Sequence, residues 1–257
     1  MAKLVGTRIT TNASTGGYRP PYPAEKSMHH FVTRVLLPMT SLLAVAPAFA
    51  SDQTQEGYYL SAKLLNAQQQ AHNMDLSLRP GIGSFVAGKA SDDALGGAIA
   101  AGYRFGNGWR AEGEYTFRRD AEFTSGSTTF PTSLNHDRIH ARRVMLNAYR
   151  DFALGNGFSL YATAGIGVAS VQSGGWQGNP ARQFASNTQN NLAYAIGAGV
   201  SYAPSEQWNV DLGYRYTDMG QAQSGFNTFT NARGLQDEQM KANIIVNEVY
   251  LGIRFNL

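Results

Sequence analysis

The chain has 257 residues, a net charge of +3 and a slightly negative mean hydropathy, which excludes a bundle of apolar membrane helices. It contains no cysteine, so disulfide scaffolds, thiolate zinc sites and cysteine nucleophiles are excluded as well. The charge is modest and no basic run carries interleaved aromatic residues, so nucleic-acid binding is not expected. We also expect no cofactor.

The first feature along the chain is an apolar stretch over residues 35–46, which is too short to cross a membrane as a helix. Arg34 precedes it, and an Ala-x-Ala sequence that ends at Ala50 follows it. This pattern predicts a signal peptide cleaved after Ala50, with a buried helix as the alternative. The expected division is an upstream artefact over 1–27, a signal peptide over 28–50 that starts at Met28, and a mature barrel domain over 51–257.

From Glu56 onward, apolar and polar residues alternate in eight segments. The segments are roughly 11 to 16 residues long, whereas strands of soluble proteins usually have about 5–6. A strand that crosses a membrane at a tilt needs about 9–11 residues. The lengths therefore favour membrane strands, predicted over 56–70, 94–105, 109–119, 139–152, 158–171, 191–203, 208–219 and 242–257.

Each predicted strand has one apolar face and one face of polar, Gly and Ala residues. In 208–217, for example, Leu212 lies on one face and Asp211 and Arg215 on the other. A face of small and polar residues suits the narrow interior of a small barrel. Aromatic residues near the strand ends suit an interfacial girdle: Tyr103, Phe105, Trp109, Phe152, Phe158, Tyr202, Trp208 and Phe255.

Short and long connections alternate between these segments, which is typical of outer-membrane barrels with short periplasmic turns and long outer loops. Asn-Gly pairs in two of the short connections supply the positive φ of tight hairpins. The fold class is therefore predicted to be all-β, an eight-stranded antiparallel transmembrane β-barrel of up-and-down topology, with both mature termini in the periplasm. A soluble lipocalin-like barrel is the alternative, but it would need apolar side chains inside. The three short connections are 106–108, 153–157 and 204–207, and the four long ones are about 71–93, 120–138, 172–190 and 220–241.

Five strand segments are distinctive: GAIAAGY at 97–103, MLNAY at 145–149, AGIG at 164–167, IGAGV at 196–200 and LGYRYTD at 212–218. They resemble the opacity-type outer-membrane surface proteins, and more closely the Tia and heat-resistant agglutinin adhesins and invasins of enteric bacteria. The resemblance covers nearly all of 56–257. It implies a Gram-negative cell-surface barrel whose outer loops mediate adhesion, aggregation or invasion, without catalysis; a structural or porin-type barrel is the alternative. Leu257 replaces the terminal Phe usual in such proteins, which would slow recognition by the barrel assembly machinery.

Nine charged side chains are predicted to face the barrel interior. Side chains fill the interior of an eight-stranded barrel, and buried charges must pair. We therefore expect a salt-bridge network that closes the lumen, with a small ion pathway as the alternative. The predicted members are Lys63, Arg104, Arg110, Glu112, Glu114, Asp211, Arg215, Glu248 and Arg254.

A basic cluster flanks the second long connection. Guanidinium groups bind sulfate, phosphate and carboxylate in bidentate fashion, so the cluster is predicted to bind polyanions such as sulfated glycans. A collar that contacts lipopolysaccharide is the alternative, and Asp120, Glu122 and Asp137 would weaken binding. The predicted binding residues are Arg118, Arg119, His136, Arg138, His140, Arg142 and Arg143.

Ser133, His136, Asp137 and His140 lie close together in sequence, but nothing in the pattern holds them as a catalytic or metal-binding group. We expect solvated loop residues, no enzyme and no metal. The last two long connections mix aromatic and amide residues, as adaptable contact surfaces do. The expected partners of this monomer are outer-membrane lipid, lipopolysaccharide, the barrel assembly machinery and host-cell surface glycans or receptors.

Overall fold

The computed structural model describes residues 56–74, 76–77 and 85–257. The predicted signal peptide, its cleavage site after Ala50 and residues 1–27 lie outside these residues. Within the described part of the chain, no helix has the length and apolar character that a membrane crossing requires.

Ten β-strands make up the described fold, eight of them long. The bounds are β1 (Gly57–His72), β2 (Leu76–Ser77), β3 (Phe85–Ala87), β4 (Ser91–Arg104), β5 (Trp109–Ser127), β6 (Asn135–Gly155), β7 (Phe158–Gln177), β8 (Asn179–Tyr202), β9 (Trp208–Gln223) and β10 (Gln239–Asn256).

The eight long strands form one closed antiparallel ring. Each pairs with its neighbours along the chain, and β1 pairs with both β4 and β10, with Leu64 opposite Gly97 on one side and Leu251 on the other. The short β2 and β3 only add edges, to β10 and β5 respectively. The predicted eight-stranded up-and-down barrel is therefore confirmed, and every predicted strand is present.

One end of the barrel, the turn end, carries three tight connections. Asn156 and Gly157 join β6 to β7 with φ angles of 52° and 80°, and Gly108 completes the turn before β5 with φ 81°. Positive φ is the conformation for which Asn-Gly pairs are suited, so the expected hairpins form. The other end, the loop end, carries the four connections that the sequence predicts to be long.

The connections at the loop end are shorter than the sequence suggests. The expected loop over 172–190 is nearly all strand, because β7 and β8 continue until only Gly178, with φ 65°, separates them. Residues 120–127 and 135–138 likewise belong to β5 and β6. Parts of these stretches, such as 135–138, place polar residues on both faces, so the alternation is hidden there, yet cross-strand backbone hydrogen bonds extend the sheet through them.

An apolar belt surrounds the half of the barrel nearest the turn end. On β6 it runs from Val144 to Phe152, and on β10 from Val249 to Phe255, with side chains that point outward. Exposed aromatic rings edge the belt at the turn end, where Phe158 and Tyr202 stack with centroids 4.6 Å apart. An outer face of this kind matches lipid, as predicted.

Above the belt, toward the loop end, the polarity of the two faces of the sheet reverses. On β6, Ile139 and Ala141 are buried inside, whereas Arg138 and Arg142 face outward. The barrel thus has a charged tier of side chains at belt level and an apolar tier that begins at the upper edge of the belt, at Met145, and continues above it, as in the interior of a soluble barrel. The apolar tier comprises Ala67, Ala71, Met74, Ala121, Phe123, Ile139, Ala141, Met145, Ala169, Val171, Ala193, Ala195, Met219, Ala222, Ala242, Ile244 and Val246.

Candidate functional site

Glu248 is the centre of the charged tier. Its two carboxylate oxygens accept hydrogen bonds from three guanidinium groups: from Arg143 at 2.5 Å, from Arg215 at 2.9 Å and from Arg119. Glu248 is fully buried. Because the arginines come from β5, β6 and β9, this one carboxylate ties three walls of the barrel to β10.

Glu112 and Glu114 form a second centre lower in the barrel. The Lys63 ammonium lies 2.5 Å from Glu112 and 2.6 Å from Glu114, and Arg215 links Glu114 to the Glu248 centre at 2.8 Å. The Tyr149 hydroxyl donates to Glu112 at 2.9 Å. The charges therefore form one continuous network in which each carboxylate has several donors.

The structure puts all nine residues of the predicted lumen network inside the barrel. Near the turn end, Arg254 donates to Asp211 at 3.2 Å, and Arg104 donates to the Asn256 side chain at 3.4 Å. Arg110 forms a bidentate pair with Asp151, at 2.7 and 2.9 Å. Sequence reasoning did not include Asp151, Arg119 and Arg143 in the lumen network, and it also left out four buried tyrosines. Alternation within the strands indicates the inward position of most of these residues. The four tyrosines are Tyr59, Tyr149, Tyr161 and Tyr250.

Two residues of the predicted polyanion cluster lie inside the barrel instead of on its surface. Adjacent residues of a strand face opposite sides, so Arg142 faces outward and Arg143 inward. A β-bulge between Thr116 and Arg119 adds one residue to β5 and turns Arg119 inward. The side chain of Arg118 lies outside what the structure describes.

The remaining cluster residues lie on the outer wall of β5, β6 and β7, where Glu122 and Trp176 join them. We call this group the wall patch, and it comprises Glu122, His136, Arg138, His140, Arg142 and Trp176. The His136 ring stacks on Trp176, with centroids 4.6 Å apart and planes 7° apart. The Arg138 guanidinium lies 4.5 Å from the centre of the same indole. The Trp176 indole thereby supports the His136 ring and the Arg138 guanidinium on an otherwise solvated wall.

Carboxylates offset much of the positive charge of the wall patch. Glu122 accepts from His136 at 3.0 Å and from Arg138 at 3.4 Å, and His140 contacts Asp120 at 2.5 Å. The hydrogen bond from His136, with a smaller contribution from Arg138, lowers the pKa of Glu122, so this carboxylate is charged at neutral pH. A polyanion must therefore compete with resident carboxylates here.

Strand alternation also separates the four residues that are close in sequence near 133–140. Asp137 points into the barrel, above the belt, and accepts a hydrogen bond from Ser173 at 2.7 Å. Burial raises its pKa to about 6. His136 and His140 point outward, each toward a different carboxylate. Within the described ranges, no three histidine, aspartate or glutamate side chains meet in a way that suits a metal ion.

A cavity of about 640 Å³ opens at the loop end, and we call it the mouth cavity. Residues of the β5–β6 connection, the β7–β8 hairpin and the β9–β10 connection line it. Backbone hydrogen bonds tie these segments together, from Gly178 to Leu134 at 2.7 Å and from Thr228 to Gln183 at 2.8 Å. The three segments are distant in sequence, so no local motif indicates the cavity.

Comparison with known proteins agrees with this architecture. The chain is similar to outer membrane protein PagN of Salmonella typhimurium, with 27% identity over 174 residues, which covers 63% of this chain and 72% of PagN. Among solved structures, OprG of Pseudomonas aeruginosa has 12% identity and a TM-score of 0.50, covering 78% of this chain and 97% of OprG. Neisserial surface protein A has 20% identity and a TM-score of 0.47, covering 79% and 99%.

The predicted resemblance to outer-membrane surface barrels and the predicted location in the outer membrane are confirmed, with the turn end in the periplasm and the loop end outside. The family model described as outer membrane protein beta-barrel domain matches residues 35–255, which is most of the chain. The closed ring of antiparallel strands with its apolar outer belt is a fold typical of outer-membrane barrels. The chain belongs to the outer membrane protein beta-barrel domain family.

Proposed function

We propose that this protein is an outer-membrane adhesin whose projecting end contacts the surfaces of other cells. The observation that carries the proposal is the continuation of the long strands beyond the belt, around an apolar tier of their own. A projecting part with its own core is a rigid platform, and rigid contact residues lose less conformational entropy on binding than loose loops do. The resemblance to the Tia and heat-resistant agglutinin adhesins supports the same function, which involves no reaction.

The filled interior suits an anchor. Glu248 and its three arginines occupy the charged tier, and apolar side chains such as Phe123 and Ile139 fill the tier above it. Side chains roughly fill a barrel of eight strands, which leaves no porin-like channel.

The wall patch is the part of this platform that we assign to anionic glycans, with Arg138 and Arg142 as its exposed cations. Both project outward from β6, and Trp176 supports the first of them. Because Glu122 and Asp120 offset the charge, each contact is weak. Adhesion by many copies on one cell would then depend on multivalency, in which avidity replaces affinity.

Expression of the full chain on non-adherent bacterial cells tests the function. We expect cells that display it to attach to epithelial monolayers, and soluble heparin to reduce the attachment. The double charge reversal Arg138→Glu and Arg142→Glu should lower the heparin-sensitive attachment severalfold, because each reversal replaces an attraction by a repulsion. The matched control, Lys89→Glu and Lys241→Glu, makes the same change in net charge elsewhere at the outer end.

Two results separate the general proposal from its finer part. If the displayed, folded protein confers no attachment at all, the adhesin function is refuted. If attachment occurs but the wall-patch reversal and the control reduce it equally, adhesion stands and the glycan assignment of the patch fails.

A structural or passive-transport barrel is the alternative function. Single-channel recording in planar bilayers separates it from the adhesin. The side chains that fill both tiers lead us to expect no discrete current steps, and a steady conductance would favour a pore.

A further inference from the structure

The mouth cavity has the volume of a binding site for a small ligand. Its volume of about 640 Å³ lies inside the range of roughly 300–1,000 Å³ that such sites have. Its walls are fixed to one another by backbone hydrogen bonds, including those between Ala185 and Phe226 and between Gly225 and Ala185. The connections that carry most of the lining side chains are therefore tied to one another and to β8 by backbone hydrogen bonds.

Arg182 brings a positive charge to this lining, and two side-chain contacts hold it in position. Its guanidinium lies 4.1 Å from the centre of the Phe229 ring, and Phe229 packs against the buried pair Phe184 and Met240. One Nη atom donates to the Gln177 side chain at 2.7 Å. The Nε–H group is buried and has no hydrogen-bond partner among the described residues. A buried donor without a partner costs free energy that a bound acceptor would recover.

Most of the other lining side chains are hydroxyls and amides, such as those of Thr132, Ser133 and Asn179. These groups both donate and accept hydrogen bonds, as the hydroxyl groups of a sugar do. The Phe130 ring also lines the cavity and is about half exposed, which offers an apolar surface for a sugar ring.

The charges of the lining limit the ligand to few negative groups. Arg233 is already paired with Asp237 at 2.8 Å, and Glu238 contributes a carboxylate to the same wall. A densely sulfated chain would be repelled by Glu238, whereas a ligand with one carboxylate could place it on Arg182. The cavity is therefore different in chemistry from the wall patch.

We propose that the mouth cavity binds the terminal part of a short oligosaccharide that carries one carboxylate, with Arg182 as the anchor of that carboxylate. The proposal rests on the adhesin function, for which it names a class of receptor, the acidic end of a cell-surface glycan. The amide and hydroxyl groups recognise the sugar hydroxyls, and Phe130 covers one face of a ring.

Titration calorimetry on the folded full chain in lipid nanodiscs tests this directly, with 3′-sialyllactose as the acidic probe and lactose as its neutral counterpart. We expect sialyllactose to bind at least about tenfold more tightly than lactose, since a charge-assisted hydrogen bond has that magnitude. Arg182→Gln should remove this preference. Thr132→Phe, which fills the cavity from its rim, should weaken binding of both probes, and Lys241→Gln on the β10 wall should change neither. Heat-modifiable migration on gels verifies that each variant is folded.

Several outcomes would overturn the assignment: no binding of sialyllactose to the folded protein, unchanged binding by folded Arg182→Gln, or tighter binding of an acidic tripeptide than of sialyllactose. The same variants in the attachment assay keep the two proposals apart. If cells displaying the protein attach but sialyllactose does not bind, only the cavity proposal fails. If sialyllactose binds with the expected preference but no attachment occurs, only the adhesin function fails.

Discussion

Asp137 offers the sharpest quantitative test of the apolar tier, through the substitution Asp137→Asn. The carboxyl lies on the inner face of β6, above the belt, and Ser173 donates to it at 2.7 Å. Burial is the largest influence on this group and raises its pKa from the usual 3.8 to about 6. An amide of the same shape can keep the hydrogen bond from Ser173 without ever becoming charged.

The magnitude follows from the difference between the folded and unfolded pKa values. Because the folded pKa is the higher one, the stabilising contribution of protonated Asp137 is complete below about pH 3.8 and is lost as the pH rises through about 6. The difference of about 2 in pKa corresponds to about 3 kcal/mol at pH 7. We expect Asp137→Asn to be more stable than the parent protein by up to about 3 kcal/mol at pH 7, and by less than about 1 kcal/mol at pH 4.

The measurement is the free energy of urea-induced unfolding in phospholipid vesicles between pH 4 and pH 8. The control is Asp93→Asn, which removes an equal charge from an exposed position on β4 and should leave the pH profile unaltered. Equal pH profiles for the parent protein and Asp137→Asn would refute the reasoning, because Asp137 would then be as well solvated in the folded as in the unfolded state.

Three further substitutions test the tiers separately. Glu248→Gln leaves three buried guanidiniums with a neutral acceptor and should cost about 3–5 kcal/mol of unfolding free energy, whereas Glu206→Gln in an exposed turn should have little effect. Phe123→Ala in the apolar tier should cost about 3–5 kcal/mol and increase proteolysis of the outer end, while heat-modifiable migration persists; resistance equal to the parent protein would contradict a separate outer core. Gly175→Val would bring a Cβ to 1.8 Å from the His136 carbonyl oxygen, so hydrogen exchange should increase where β6 and β7 meet at the wall patch.

The belt half of the barrel could be predicted from the sequence because lipid imposes a strong signal. Residues such as Leu212 must face outward while Asp211 and Arg215 face the interior, and this period of two repeats in every strand. Turn chemistry is equally local, as at Asn156 and Gly157. Fold, strand positions and the inward-facing charges therefore follow from short stretches of sequence.

The outer half could not be predicted because its signals are weak or non-local. Small apolar residues such as Ala121 and Ala141 fill the apolar tier, and alanine marks neither face of a strand clearly. The bulge after Thr116 is visible only in the pairing with β6, yet it decides that Arg119 faces inward. The mouth cavity combines three connections that are far apart in sequence, and only the closed ring brings them together.

The reversal between the two tiers follows from the change of solvent along the barrel. At belt level lipid accepts the apolar outer face, so the interior can hold charges, provided that each is paired as Glu248 is. Above the belt the outer face meets water, and only an apolar interior can then hold the ring closed by the hydrophobic effect. The tier around Phe123 and Ile139 supplies that interior. Contact residues above the belt, such as Arg138 over the Trp176 ring, are therefore held in position by a folded core. Weak contacts that are held in position in this way can add up across many copies of the protein.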